Sequence, residues 1–405
     1  LIGVATVGML LFTSRPVGDA MATTIWGASS SWTLTALPLF IWMGEILFRT
    51  KLSENLFKGL TPLTRKLPGG LLHVNIAGCT IFAAISGSSA ATVATVGKMS
   101  IPELRQRKYP DRMIIGTLAG AGTLGLLIPP SITLIIYGVT VNESIAKLFI
   151  AGILPGLMLA SLFMGYVAIW GTLNRVESES DNDSRTGQLR DVLQLIPILL
   201  LIAGVMGSIY TGIATATEAA VLGVLGSLLL SALQGSLSWL SFKEALLGAT
   251  KTSAMIAFIL AGSTFLSLAM GFTGLPRTLA TWIAELQLAP WMLIIALTMF
   301  YIILGCFLDG ISSVVLTMAV IEPLVRQAGF DMIWFGIFLM IVVEMAQITP
   351  PVGFNLFVLQ GMTGKDMAFI ANAAIPMFLI MVLAVALLSV FPDVATYLPS
   401  AMSGR

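Results

Sequence analysis

The chain has 405 residues, 57% of them hydrophobic and 10% charged, with a formal net charge of +1. Soluble domains carry about a quarter charged residues, so this composition reads as a polytopic α-helical membrane protein, and charge scattered over loops leaves no basic face for nucleic acid. Cys79 and Cys306 each lie inside an apolar run as small buried thiols, and with one histidine they exclude a disulfide framework and argue against zinc or haem.

The opening run 1–12 would rise only about 18 Å as a helix, so the first span reads as incomplete, missing its start or belonging to a longer protein. Full crossings are expected near 29–48, 113–139, 149–171, 192–210, 213–233, 252–272, 332–359 and 368–391. Segment 49–66 mixes basic, polar and leucine residues and reads as an amphipathic helix in the interface plane. Segment 71–102 reads as two short helices around the small polar break Ser86-Gly87-Ser88-Ser89. Each half is too short to cross, and backbone broken at membrane depth is tolerated only where protein or an aqueous cavity surrounds it. The hydrophilic stretch 174–191 reads as a linker between two halves. Segment 305–313, with Asp309, Gly310, Ser312 and Ser313, echoes the first break. The tryptophans fit interface belts, His73 an interfacial position, and Glu45 and Glu218 structural ones near span ends.

The prolines set a register between the halves. Pro102 and Pro323, Pro129 and Pro350, Pro130 and Pro351, and Pro155 and Pro376 are each 221 residues apart. Five crossings separate equivalent points, and an odd number inverts the second copy. Inverted repeats with broken helices at the midplane are a transporter signature. With 49–66 placed inside, 16 of the 21 Lys+Arg fall in cytoplasmic loops, so the first hairpin enters from the cytoplasm and the second from outside.

Gly87, Ser88 and Ser89 offer a tight turn with hydroxyls, and Ser312 and Ser313 beside Gly310 repeat it. A helix starting at such a break presents unpaired N–H groups to an anion, and a helix ending there offers carbonyls to a cation. Pro129-Pro130-Ser131 and Thr349-Pro350-Pro351-Val352-Gly353 break two more helices, each proline freeing a carbonyl one turn earlier. Carbonyls and hydroxyls from facing breaks suit Na⁺, a hard cation. No lysine or arginine falls mid-span, so an anionic substrate needs helix ends and co-bound cations. Substrate contact is expected at Ser86, Gly87, Ser88, Thr92, Ser312 and Asn355. Asp309, deep in an apolar run, is expected at a cation site, and Glu344 as a supporting carboxylate or proton site. Taken singly, small-residue runs also pack helices closely and double prolines also merely kink them.

The motifs SGSSAATVATVGKMSIPEL (86–104), IPPSITLIIYG (128–138), YTGIATATEAAVLG (210–223) and ITPPVGFNLFVLQG (348–361) resemble the large membrane subunit of tripartite ATP-independent periplasmic (TRAP) transporters. The resemblance covers nearly the whole chain. It implies an all-α fold of two inverted repeats, each with a re-entrant hairpin and a broken helix. It also implies sodium-driven import of organic acids across the bacterial inner membrane by an elevator motion. The partners implied are a periplasmic binding protein and a small four-helix membrane subunit, separate or fused. Carried over residue by residue, sodium sites fall at Ser88, Ser89, Pro130 and Ser131, and at Ser312, Ser313, Thr349, Pro350 and Gly353.

On this reading 1–67 and 192–288 form a scaffold with interfacial arms at 49–66 and near 277–287. The mobile domain comprises 68–171 and 289–392, with a cytoplasmic linker at 172–191 and a tail at 393–405. The rivals are a stand-alone sodium- or proton-coupled carboxylate transporter, an intramembrane serine hydrolase using Ser88 with His73, and a non-transporting scaffold.

Overall fold

Helices form wherever the apolar runs are uninterrupted, and they stop where glycine, serine and proline accumulate. The computed structural model describes residues 1–14, 16–49, 52–174, 191–274, 276, 278, 281, 289–351 and 353–403, and all regular structure among them is helical. Most of the linker and of the outer arm expected near 277–287 lies outside the described residues, as does Val352.

Helices α1 (Ile2–Phe12) and α2 (Val17–Ser29) are followed by a 3-10 turn, Trp32–Thr35, then α3 (Ala36–Phe48) and α4 (Leu52–Thr64). The span expected at 29–48 therefore begins at the turn, because Ser30 and Ser31 end α2. The first hairpin is α5 (Leu72–Ser86) and α6 (Ser89–Gln106). A broken helix follows as α7 (Asp111–Gly122), α8 (Leu124–Leu127) and α9 (Ile132–Val141), bent by 41° at Pro129-Pro130, and then α10 (Ile145–Leu173). Beyond the linker come α11 (Ile196–Tyr210), α12 (Ala216–Leu233) and α13 (Trp239–Thr273). The second hairpin is α14 (Pro290–Gly305) and α15 (Gly310–Gln327), and the second broken helix is α16 (Met332–Gln347) and α17 (Phe354–Thr363). The chain continues as α18 (Met367–Val390) and α19 (Asp393–Ser403).

Two segments are more helical than the sequence pattern suggests. The span at 252–272 is the end of a continuous 35-residue helix, α13, which starts at a Ser238–Ser241 capping box and has no internal proline. Its first turns carry charged residues, and Glu244 there pairs with Arg49 at 2.8 Å. The tail from 393 is helical to Ser403 and packs on α10 through buried Ala395.

The offset of 221 read from the prolines holds for the backbone. It carries α6, from Ser89 to Gln106, onto α15, from Gly310 to Gln327. It also carries the cis pair Pro129-Pro130 onto the cis pair Pro350-Pro351, and left-handed Lys108 onto left-handed Gly329.

Hydrogen bonds at the helix ends show that the copies are inverted. The Arg105 guanidinium, at the far end of α6, ion-pairs with Asp111 at the start of α7 and donates to Thr363 O at the end of α17, 3.5 Å away. Its counterpart Arg326, at the far end of α15, donates to Val141 O at the end of α9, 3.0 Å away. Tyr137 on α9 donates to Met332 O at the start of α16, at 2.7 Å. The two broken helices thus run antiparallel, and the hairpins enter from opposite faces with their tips between.

Helix α16 forms the centre, with every residue except Ile333 buried. Outside this core α12 and α13 each pack on α3, α11 lies against α12, and α1 and α2 lie along α13 over Phe265 and Ala269. Trp26, Trp32, Trp239 and Trp291 are exposed near helix ends, as interface anchors would be, whereas Trp334 is buried and donates to Leu388 O.

Candidate functional site: two hairpin tips against two helix breaks

At the first tip α5 ends on Gly87 in the left-handed region (φ 58°), a conformation costly for any residue with a Cβ. A Cβ there would also stand 2.9 Å from Pro130 O, in the break of the first broken helix. Ser88 caps α6, its Oγ accepting from the Ala91 N–H. Thr92 Oγ1 donates to Ser88 O at 2.8 Å and lies 2.9 Å from Ser86 Oγ, fixing the turn from within. Ser131 caps α9, accepting from the Leu134 N–H. Ser86, Gly87, Ser88, Ser89, Pro130 and Ser131 are therefore brought together.

At the second tip Asp309 occupies the position of Ser88 and caps α15 through the Ile311 and Ser312 N–H groups at 3.1 and 3.4 Å. It is exposed at the tip rather than buried in the apolar run, because the chain breaks there. Cys306 Sγ donates to Pro350 O at 3.3 Å, and Gln347 Nε2 donates to Leu308 O at 3.2 Å. Thr349 Oγ1 donates to Met345 O, and Gly353 starts α17. Ser313 is buried with its Oγ unpartnered. Asn355 is fully buried and accepts from Ser89 Oγ at 3.3 Å, so it joins the first tip to the second broken helix. Gln347 was not anticipated as a site residue. The signal was available, since it is a polar residue where the register puts Leu126 in the other copy.

Both tips open on one cavity of about 730 Å³. Ser86, Gly87, Ser88, Ser89, Asp309, Ser312 and Gln347 line it from the repeats, and Gly44, Glu45 and Thr252 from α3 and α13. Thr92, Pro130, Ser131, Ser313, Thr349, Pro350, Gly353 and Asn355 are not in its wall; they stand with the tips and breaks around it. The charged wall residues are both acidic. Glu45 is paired with Arg49 at 3.1 Å, which leaves Asp309 as the unpaired charge. Among the described residues no basic side chain lines the cavity, so an anion there must be met by helix N-termini and cations.

His73 does not approach Ser88. It is buried rather than interfacial, with Nε2 2.8 Å from Pro68 O. It occupies the first turn of α5, and Ser88 lies 15 residues on, about 22 Å along a helix. A Ser–His dyad is not formed.

The family model described as the DctM component of tripartite ATP-independent periplasmic transporters matches residues 1–394. The chain is 31% identical to the C4-dicarboxylate TRAP transporter large permease protein DctM of Pseudomonas aeruginosa, over 99% of this chain and 93% of that protein. It is 28% identical to the sialic acid TRAP transporter large permease protein SiaM of Vibrio cholerae, over 100% of this chain and 94% of that one. It is 30% identical to the isethionate TRAP transporter permease protein DctMQ of Oleidesulfovibrio alaskensis, covering 98% of this chain and 62% of that protein. Among solved structures, the YdaH transporter of Alcanivorax borkumensis superposes with a TM-score of 0.63 at 11% identity, over 95% of this chain and 87% of that one, and so shares the fold. Inverted hairpins and broken helices around one cavity, with the match along 1–394, place the chain in the DctM family of TRAP transporter large permeases, as a multi-pass membrane protein.

Proposed function

We propose that the chain is the large permease of a Na⁺-coupled importer in the bacterial inner membrane. It takes a small organic acid from a periplasmic binding protein and works with a small membrane subunit, separate or fused. The observation that carries this reading is the cavity itself: two tips rich in hydroxyls and helix ends, one carboxylate outside any ion pair and, among the described residues, no basic side chain. The donor set fits the cation. Each tip abuts a break whose proline-freed carbonyls and hydroxyls are hard oxygens. Sodium bound there supplies positive charge, while the N-termini of α6 and α15 orient the substrate carboxylate. Relatives named for C4-dicarboxylates, sialic acid and 2,3-diketo-L-gulonate have carboxylates in their names and the one named for isethionate a sulfonate, so an organic acid anion is common to all of them.

The hairpins and broken helices would move as one body against α3, α12 and α13, elevator-fashion. The boundary suits sliding: Gly44 on α3 leaves room for the first tip, where a Cβ would stand 3.0 Å from Ile85 O. Across the same boundary Ser263 on α13 donates to Val315 O at 2.6 Å. The cavity reaches Glu45 and Phe48 at the end of α3 and Thr252 within α13, beside Arg49 and Lys251, which corresponds to an inward-facing arrangement under the positive-inside rule.

The test is uptake of labelled organic acids into proteoliposomes under an inward sodium gradient, with the small subunit and with or without the binding protein. Uptake requiring both sodium and the binding protein is expected. Uptake indifferent to the binding protein would favour the stand-alone transporter. Ser88→Ala and Ser312→Ala should each weaken sodium-dependent uptake, and full activity in both at equal expression would sink the site assignment.

A further inference from the structure

Behind the wall of the cavity lies a carboxylate that the tips do not use. Glu344 on α16 is 1% exposed, and neither of its oxygens has a hydrogen-bond partner. The Ser89 hydroxyl and the Leu126 N–H face it, but neither closes a bond in this arrangement. Ser89 instead donates to Asn355 Oδ1 at 3.3 Å. Ser89 and Leu126 line the cavity, whereas Glu344 and Asn355 stand one layer behind them.

A buried carboxylate without counter-charge costs several kcal/mol, and an ionisable group at membrane depth marks a functional site by default. Among the described residues, the charged groups on helices packed against α16 are Lys147 on α10, Glu322 and Arg326 on α15, and Asp393 on α19, and none of them is ion-paired or hydrogen-bonded to Glu344. Arg326 is committed to Glu322 and to Val141 O at the far end of the broken helices.

We propose that Glu344, Ser89 and Asn355 form a buried site for one monovalent cation, Na⁺ under the coupling proposed above, with Glu344 as its only charge. The three residues supply four hard oxygens: both of Glu344, Ser89 Oγ and Asn355 Oδ1. One carboxylate balances one positive charge, whereas a divalent ion would leave a surplus buried. Ser89 belongs to the cavity wall and to the site at once, so it is the point where an ion passes from one to the other. Binding turns the Ser89 hydrogen away from Asn355 and ties the first tip to both halves of the second broken helix. The first tip thereby closes only when the ion is in place.

The test is ion binding rather than uptake, on the full chain with its small subunit in detergent. The thermal unfolding midpoint is followed as sodium replaces choline at constant ionic strength. Wild type should be stabilised by sodium. Glu344→Gln keeps size and hydrogen-bonding capacity but not the charge, and should raise the half-maximal sodium concentration about tenfold, equivalent to about 1.4 kcal/mol. Asn355→Ala should raise it about threefold, and decides the matter if Glu344→Gln fails to fold. A sodium response in Glu344→Gln equal to wild type would overturn the site, because an amide then replaces what is a neutral acid. An unchanged half-maximal concentration in Asn355→Ala would also overturn it. A wild-type protein that transports but is indifferent to sodium would overturn the sodium coupling itself, and the site with it.

Discussion

Position for position, Ser88 in the first repeat answers to Asp309 in the second, Thr123 to Glu344, Leu126 to Gln347 and Leu134 to Asn355, each pair 221 residues apart. The hairpin backbones match, with side-chain caps at Ser88 and Asp309, helices of equal length behind them and the same crosswise arginines. The first broken helix, by contrast, has an extra break at Thr123 and a side-chain cap at Ser131 that the second lacks. The chemistry does not match. Both midplane carboxylates and both amides of this set come from the second repeat, while the first contributes hydroxyls and close backbone approach. Duplication supplied two facing breaks, and divergence put the charge on one side of them. An ion site between the repeats therefore draws its geometry from both and its charge from one.

That contrast can be broken by exchanging equivalent residues. The largest effect is expected at Gly125, which answers to Ala346. A Cβ at 125 would stand 2.6 Å from the Ser89 N and Cα atoms, backbone that cannot swing aside. Gly125→Ala should cost about 3 kcal/mol in unfolding free energy and abolish uptake; a normal unfolding curve would mean the tip has room that the contact denies. Asp309→Asn comes next. Asparagine caps a helix as well as aspartate, so stability should hold within about 0.5 kcal/mol. The sodium needed for half-maximal uptake should rise about tenfold, close to 1.4 kcal/mol. An unaltered sodium response would remove Asp309 from the cation site.

The crosswise arginines sharpen the comparison from the symmetric side. Arg326→Ala should cost about 1 kcal/mol and Arg105→Ala about half that, as expected for partly exposed pairs. The difference arises because Lys365 also holds Asp111, at 2.9 Å. Equal losses would mean that Lys365 gives no cover. The smallest effect has the opposite sign. Lys108 is left-handed where the second repeat has Gly329, so Lys108→Gly should stabilise by about 0.5 kcal/mol in the same unfolding measurement.

The architecture was legible because prolines and small residues mark breaks whatever surrounds them, and four prolines at one spacing are enough to align two repeats. The tips at Ser86–Ser89 and Asp309–Ser313 were legible for the same reason. What joins them was not: Ser89 and Asn355 are 266 residues apart, and no local pattern announces that contact. Asp309 read as deep because its neighbours are apolar, although a helix cap at a break can face open space. His73 read as interfacial because histidine is polar, yet one bond to Pro68 O lets it be buried. The start of α13 carries lysines and a glutamate that look like a loop, and only the structure shows that they continue the helix of the apolar span.

The crosswise arginines also bear on how the protein is made. Arg105 and the Thr363 carbonyl it reaches are 258 residues apart, so synthesis delivers the first hairpin long before the helix end that braces it. Until then its polar tip has neither Asn355 nor the second broken helix to lean on, in a solvent that tolerates no unpaired backbone. The first repeat must wait, held by the insertion machinery or outside the bilayer, and final assembly becomes a late step in which two unfinished halves complete each other. A chain truncated before α17 should therefore be cleared by proteolysis rather than persist as half a transporter.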